Sequence, residues 1–245
     1  MLLWSLIVMK RFAVFVTALI ILAVLGICSY AANVPSAAGR GRFLVCLDPG
    51  HEDAPDFGQE PVAPGSPQTK DRVTSGCSGA VTKIPEYKLN LQNALLLEKI
   101  LRQDGFDVIL TRRTNHVRIS NAERARFANA RSADLVVRIH ADWSQDPSKS
   151  GASILVPDKN LPFAAASASC ADNIKATLIS AGFSVYAIVE RPDLSGFNWS
   201  KVPVVLVEVG FMSNPQEDVK MSKPACRRKL MRAVADGVEA YFMAK

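Results

Sequence analysis

Short apolar runs alternate with longer amphipathic stretches along most of the chain. Residues 43–47 form a continuous apolar run ended by Asp48-Pro49-Gly50, a pattern that predicts a buried strand followed by a sharp turn. A helix is predicted from Pro85-Glu86 to about Asp104, stopped by Gly105. At about 100° per residue its positions Leu89, Ala94, Leu96, Leu97, Ile100 and Leu101 share one broad face. Lys88, Gln92, Lys99 and Gln103 lie opposite, while Glu86 falls on the apolar side. Further strands are predicted over 106–111, 133–140, 151–156, 185–189 and 202–209, and further helices over 120–131, 161–181 and 223–242. Nearly all-apolar strands alternating with helices predict a single α/β domain, a three-layer α/β/α sandwich around a mostly parallel twisted sheet. Residues 52–85 break the alternation: they are rich in Pro, Gly, Asp and Ser and hold no period, which predicts a long loop.

The amino-terminal region differs from the rest. Residues 12–32 are uncharged and follow Lys10-Arg11, and the apolar stretch ends in the small residues around Ser29 and Ala31-Ala32. That arrangement predicts an export segment, and either a cleaved signal peptide or a retained membrane anchor fits it. The chain therefore divides into an export segment at 1–32, a turn-prone linker at 33–41 and a single folded domain at 42–245. Hydrophobic residues make up 49% and charged residues 21%, which excludes a disordered tail. The net charge is +6, of which Lys10 and Arg11 supply two. So mild an excess, with no unbroken block of five or six like charges, gives no reason to expect a nucleic-acid partner. No C-x-x-C spacing exists, which excludes thiolate knuckles and thioredoxin motifs, and the four cysteines after the export segment allow three pairings that sequence does not rank.

The candidate chemistry lies at strand ends. His51 follows the first strand, His140 ends another, and Glu208 sits near the end of a third, where open α/β sheets gather ligands. Singly, each has a structural reading: a turn residue, a hydrogen-bonded core histidine, and half of a buried ion pair with an arginine such as Arg138. Glu86 alone reads as an acid favouring a helix amino terminus. Together they point to a cation, because a buried carboxylate is costly unless paired or metal-bound. Two histidines and one carboxylate form a catalytic zinc set with a place left for water, and a second acid can accept a proton. H-E-x-x-H is absent, and His116 lies in a polar turn.

From these residues the chain resembles the zinc-dependent N-acetylmuramoyl-L-alanine amidases that cut peptidoglycan. The resemblance rests on Asp48-Pro-Gly-His51, Glu86-Tyr-Lys-Leu-Asn90-Leu, Thr111-Arg112, Ser120-Asn-Ala-Glu-Arg124, Ile139-His140-Ala141 and Pro203-Val-Val-Leu-Val-Glu208-Val-Gly-Phe211-Met-Ser-Asn214, in that order. It implies one zinc ion per chain held by His51, Glu86 and His140, with Glu208 as the catalytic carboxylate. It also places Arg191 and Asn214 beside the substrate, peptidoglycan as partner, and an envelope location. A catalytically silent wall-binding or scaffold protein of the same fold, or a related zinc peptidase on another envelope amide, are the alternatives. Two departures stand out: the long segment after His51, expected to be a surface flap whose replacement over 56–75 spares zinc, and Asp142 where the family commonly has asparagine.

Overall fold

The computed structural model describes residues 42–244; the predicted export segment and the linker lie outside the described residues. The strands are β1 (Leu44–Pro49), β2 (Asp56–Pro61), β3 (Thr69–Val73), β4 (Asp107–Leu110), β5 (Leu135–Asp142), β6 (Ala152–Val156), β7 (Val185–Glu190) and β8 (Val204–Phe211). The helices, in chain order, are α1 (Glu86–Gln103), α2 (Asn121–Ala130), α3 (Ala164–Ser180), α4 (Ser195–Asn198), α5 (Pro215–Ser222) and α6 (Pro224–Met243). Six strands form one sheet in the order β4-β1-β5-β8-β6-β7. All neighbours are parallel except β6 and β8.

Alternation along the strands divides the core in two. Val45, Leu47, Val137, Ile139, Val205 and Val207 pack on one face with residues of α1, α3 and α6. Cys46, Val136, Val204 and Leu206 pack on the other with Ala128 of α2 and Phe197 of α4. This is the predicted three-layer arrangement, and β1, β5 and β8, which sit side by side, need apolar residues on both faces.

Local signals explain several boundaries. Ser120 accepts from Glu123 N while the Glu123 carboxylate accepts from Ser120 N, a capping box that starts α2. Gly105, at φ +93, follows the end of α1 in a conformation that favours glycine. The expected closing helix over 223–242 is present as α6, and the structure adds a short helix before it: α5 ends at Ser222, where Pro224 holds Lys223 in an extended conformation.

The long loop predicted over 52–85 is corrected by the structure: β2 and β3 pair there as an antiparallel hairpin. Strand β2 reads DFGQEP with only Glu60 buried, so no alternation marks it. Contacts with the domain hold it instead. Glu60 accepts from Ala122 N at the start of α2, Asn121 Nδ2 donates to Arg72 O, and Trp199 Nε1 donates to Pro61 O. Glu52, expected among the charged residues of a surface flap, is fully buried.

Candidate metal centre

The parallel pairing of β5 with β8 sets His140 directly opposite Glu208. His51 enters from the turn after β1, and Glu86 is the first residue of α1, with its carboxylate at the helix amino terminus. One potential ligand atom from each of His51, Glu86 and His140 lies within 4.8 Å of the others. A single carboxylate oxygen, Glu86 Oε1, is the focus: His51 Nε2 and His140 Nδ1 each stand 3.2 Å from it.

The surroundings fix this oxygen. Asn90 Nδ2 donates to Glu86 Oε1 at 3.0 Å and Ala141 N at 3.2 Å, while Cys77 N donates to Oε2 at 3.0 Å. His51 Nδ1 donates to the Thr74 carbonyl at 2.8 Å. Nδ1 therefore carries a proton, and Nε2 faces a carboxylate, an arrangement that needs either a second proton on Nε2 or a metal cation. Burial pushes the His140 imidazole down to about 4, so that ring resists protonation even beside Glu86. His140 Nε2 and Glu208 Oε2 are buried without a hydrogen-bond partner. The donor set thus suits a divalent cation with nitrogen and oxygen ligands.

The backbone is shaped around these groups. A Cβ on Gly50 would fall 2.1 Å from His140 Cε1, so only glycine lets the turn approach the imidazole. His51 itself has φ +61, a conformation seldom adopted by residues with a side chain. Buried arginines hold this strained turn. Arg112 donates to Pro49 O at 2.9 Å, Gly50 O at 2.8 Å and Tyr87 O at 2.8 Å, joining the His51 turn to the first turn of α1. Arg124 donates to Pro49 O at 2.8 Å and His51 O at 3.2 Å.

Burial alone would raise the Asp48 carboxyl, but Arg124 at 2.9 Å and Arg138 at 2.7 Å hold it well below the usual carboxylate range. Arg138 is thus the partner of Asp48 rather than of Glu208. Burial, the Glu86 carboxylate and Asp142 push Glu208 well above its ordinary range, and Arg138 and Arg191 offset only part of this. Glu86 shows the reverse balance: burial would raise it, yet the facing imidazoles of His140 and His51 hold it well below.

The remaining sequence candidates lie further out. Arg191 pairs with Asp193 at 2.7 Å, and its charge still reaches Glu208 and Asp142. Asn214 caps α5, its oxygen accepting from Gln216 N and Glu217 N and its amide donating to Lys149 O. His116 is exposed and faces Asp53. Thr74, Arg112 and Asn90 had no assigned role in the sequence reading; of these only Asn90, one helical turn beyond Glu86 on the same face, carried a positional signal.

The chain matches the family described as N-acetylmuramoyl-L-alanine amidase over residues 45–240, a span that includes all four converging side chains. It belongs to that family. An N-acetylmuramoyl-L-alanine amidase of Mycobacterium tuberculosis is 28% identical over 237 residues, covering 93% of this chain and 97% of the relative. Among solved amidase structures, Ami1 from Mycobacterium abscessus is 31% identical with a TM-score of 0.74, covering 82% of this chain and 99% of that one. Ami1 from Mycobacterium smegmatis is 27% identical with a TM-score of 0.77, covering 83% and 98%. The match to the probable cell wall amidase LytH of Staphylococcus aureus, 25% identical, covers 84% of this chain but 60% of that relative.

Proposed function

We propose that this amidase hydrolyses the bond between the lactyl group of N-acetylmuramic acid and L-alanine in peptidoglycan, using one zinc ion held by His51, Glu86 and His140. The observation that carries the reading is Glu208, a half-buried acid opposite His140 whose Oε2 is buried without a partner and whose pKa is raised. Bound zinc supplies a Lewis acid for the amide carbonyl and acidifies water. Glu208 takes the proton of the attacking water and returns it to the leaving amine, and its raised pKa suits both transfers. His51, oriented by the Thr74 carbonyl, His140, kept from protonation by burial, and the anchored Glu86 keep the ligand atoms in place. Arg191 borders the substrate, as does Asn214 through the cap it makes. Export rests on Lys10-Arg11 and the uncharged stretch behind them, and brings the domain to its wall substrate.

Glu208→Gln tests the mechanism, because it preserves size and hydrogen bonding while removing the acid. Release of new N-terminal L-alanine from purified peptidoglycan should fall by about a hundredfold to ten-thousandfold, with zinc content unchanged. Near-normal release would overturn the role of Glu208. New reducing sugar ends in place of N-terminal alanine from the wild type would overturn the amide as the bond cut.

A further inference from the structure

Helix α6 carries its charges the wrong way round. Its amino-terminal half presents Arg227, Arg228, Lys229 and Arg232, preceded by Lys223 and by Lys220 at the end of α5, and no acid occurs between Asp218 and Asp236. The helix macrodipole disfavours cations at that end, and α6 has no acid in its first turn and no base in its last. A helix selected for stability alone would reverse this order.

The nearby acids do not absorb the charge. Asp104 and Asp236 both pair with Arg232. Asp218 is occupied by Val81 N, Thr82 N and the Thr82 hydroxyl, and Glu217 by Gly151 N and Phe211 N. Arg227 is held by Gln92, and Lys229 lies 5.6 Å from the Phe183 ring. Lys220, Lys223 and Arg228 are exposed and have no acidic partner among the described residues.

The cationic turn also lies at the metal-centre end of the sheet. Helix α5 begins just after β8, the strand that bears Glu208, and α6 follows it directly. The Arg227 contact places the start of α6 beside the second turn of α1, whose first residue is Glu86. Lys220 lines a polar cleft of about 500 Å³ together with Ser148, Ser184 and Asn214.

We infer that the start of α6, with Lys220 and Lys223, is a docking surface for anionic peptidoglycan, binding stem-peptide carboxylates of the polymer away from the bond being cut. This rests on the proposed amidase reading. The occupant follows from the placement: a polymer can reach the cationic turn and Glu208 together, whereas a membrane lying flat on this end would cover the metal centre. Docking is electrostatic and therefore weakens with salt.

The test combines Lys223→Gln, Arg228→Gln and Lys229→Gln, in full-length protein that also carries Glu208→Gln so that the polymer stays intact. Association with purified sacculi at low salt should weaken about tenfold, since each exposed cation near an anionic surface contributes measurably, and its salt dependence should flatten. The melting temperature should stay the same or rise, as removal of cations from a helix amino terminus relieves the dipole. With Glu208 restored, turnover of a small soluble muramoyl-peptide should be unchanged. Unaltered sacculus binding would overturn the inference. So would charge-dependent capture by phosphatidylglycerol vesicles without any charge-dependent capture by sacculi. A wild type that binds sacculi through these cations but does not cleave the small peptide would contradict the amidase reading and leave the docking surface standing.

Discussion

Glu86, which is buried, and Glu208, which is half-buried, are acids of one site pushed in opposite directions, and the difference lies in their partners. Glu86 faces two imidazoles and three further N–H donors, whereas Glu208 keeps an oxygen unpartnered and feels two other carboxylates. One of these, Asp142, is itself raised by burial and by Glu86. Asp142→Asn removes a negative charge that disfavours the Glu208 anion, so the pKa of Glu208 should fall. Because the base must be ionised to accept a proton, the acid limb of the kcat/KM profile should move to lower pH, which a pH-rate series on a soluble muramoyl-peptide would read. An unmoved limb would mean that Asp142 does not act on the base. His51, Glu86, His140 and Glu208 could be found in the sequence because each is an ionisable side chain at a strand end or on an apolar helix face. Thr74 could not, since it acts through its backbone carbonyl, and nothing in a residue's identity marks where its carbonyl will point. Arg112 was visible only as part of a motif. That it bridges the turns bearing His51 and Glu86 depends on a fold that brings Gly50 and Tyr87 together.

At the scale of elements, the β2–β3 hairpin is where the sequence reading fell short. Its strands lack alternation because only Glu60 and Val73 are buried, and their order comes from α2 and from Trp199, which Arg126 covers at 4.1 Å from the ring centroid. The hairpin also leads into the metal site, since Thr74 follows β3 and orients His51. Replacing residues 56–75 by a short Gly-Ser linker should therefore not spare zinc, contrary to what the sequence led one to expect. Loss of such an outer partner weakens metal affinity by about ten- to a hundredfold, which competition with a chromogenic chelator would measure. Excising only the hairpin tip, residues 62–67, should leave the affinity unchanged. Equal affinities in the two variants would show that the Thr74 contact does not support His51. Helices α1 and α2 were legible nearly to the residue because an apolar stripe, a capping box and a stop glycine agree. Helix α5 was not legible, because it is only two turns long and buries just Asp218 and Met221, too little to show an apolar period.

For the whole molecule, alternation and strand apolarity fixed the layers in advance, but not the strand order or the reversal of β6 against β8, because both faces of a buried strand look alike in either direction. The pairing of β5 with β8 has a kinetic consequence. These strands are adjacent in space, yet β6, α3, β7 and α4 all lie between them in the chain, so a large loop must close before His140 and Glu208 meet. Closing it lowers the entropy of the chain before the strands gain any contacts, which makes such pairings slow to form. Helices can form earlier, from local contacts. On refolding from denaturant, far-ultraviolet ellipticity should therefore recover before the protein gains the ability to take up zinc, and a stopped-flow comparison of the two signals would reveal the lag. Simultaneous recovery would mean that the central strands pair as early as the helices. A lag would mean that a newly made chain stays inactive while its helices form and gains hydrolytic competence only when the middle of its sheet closes.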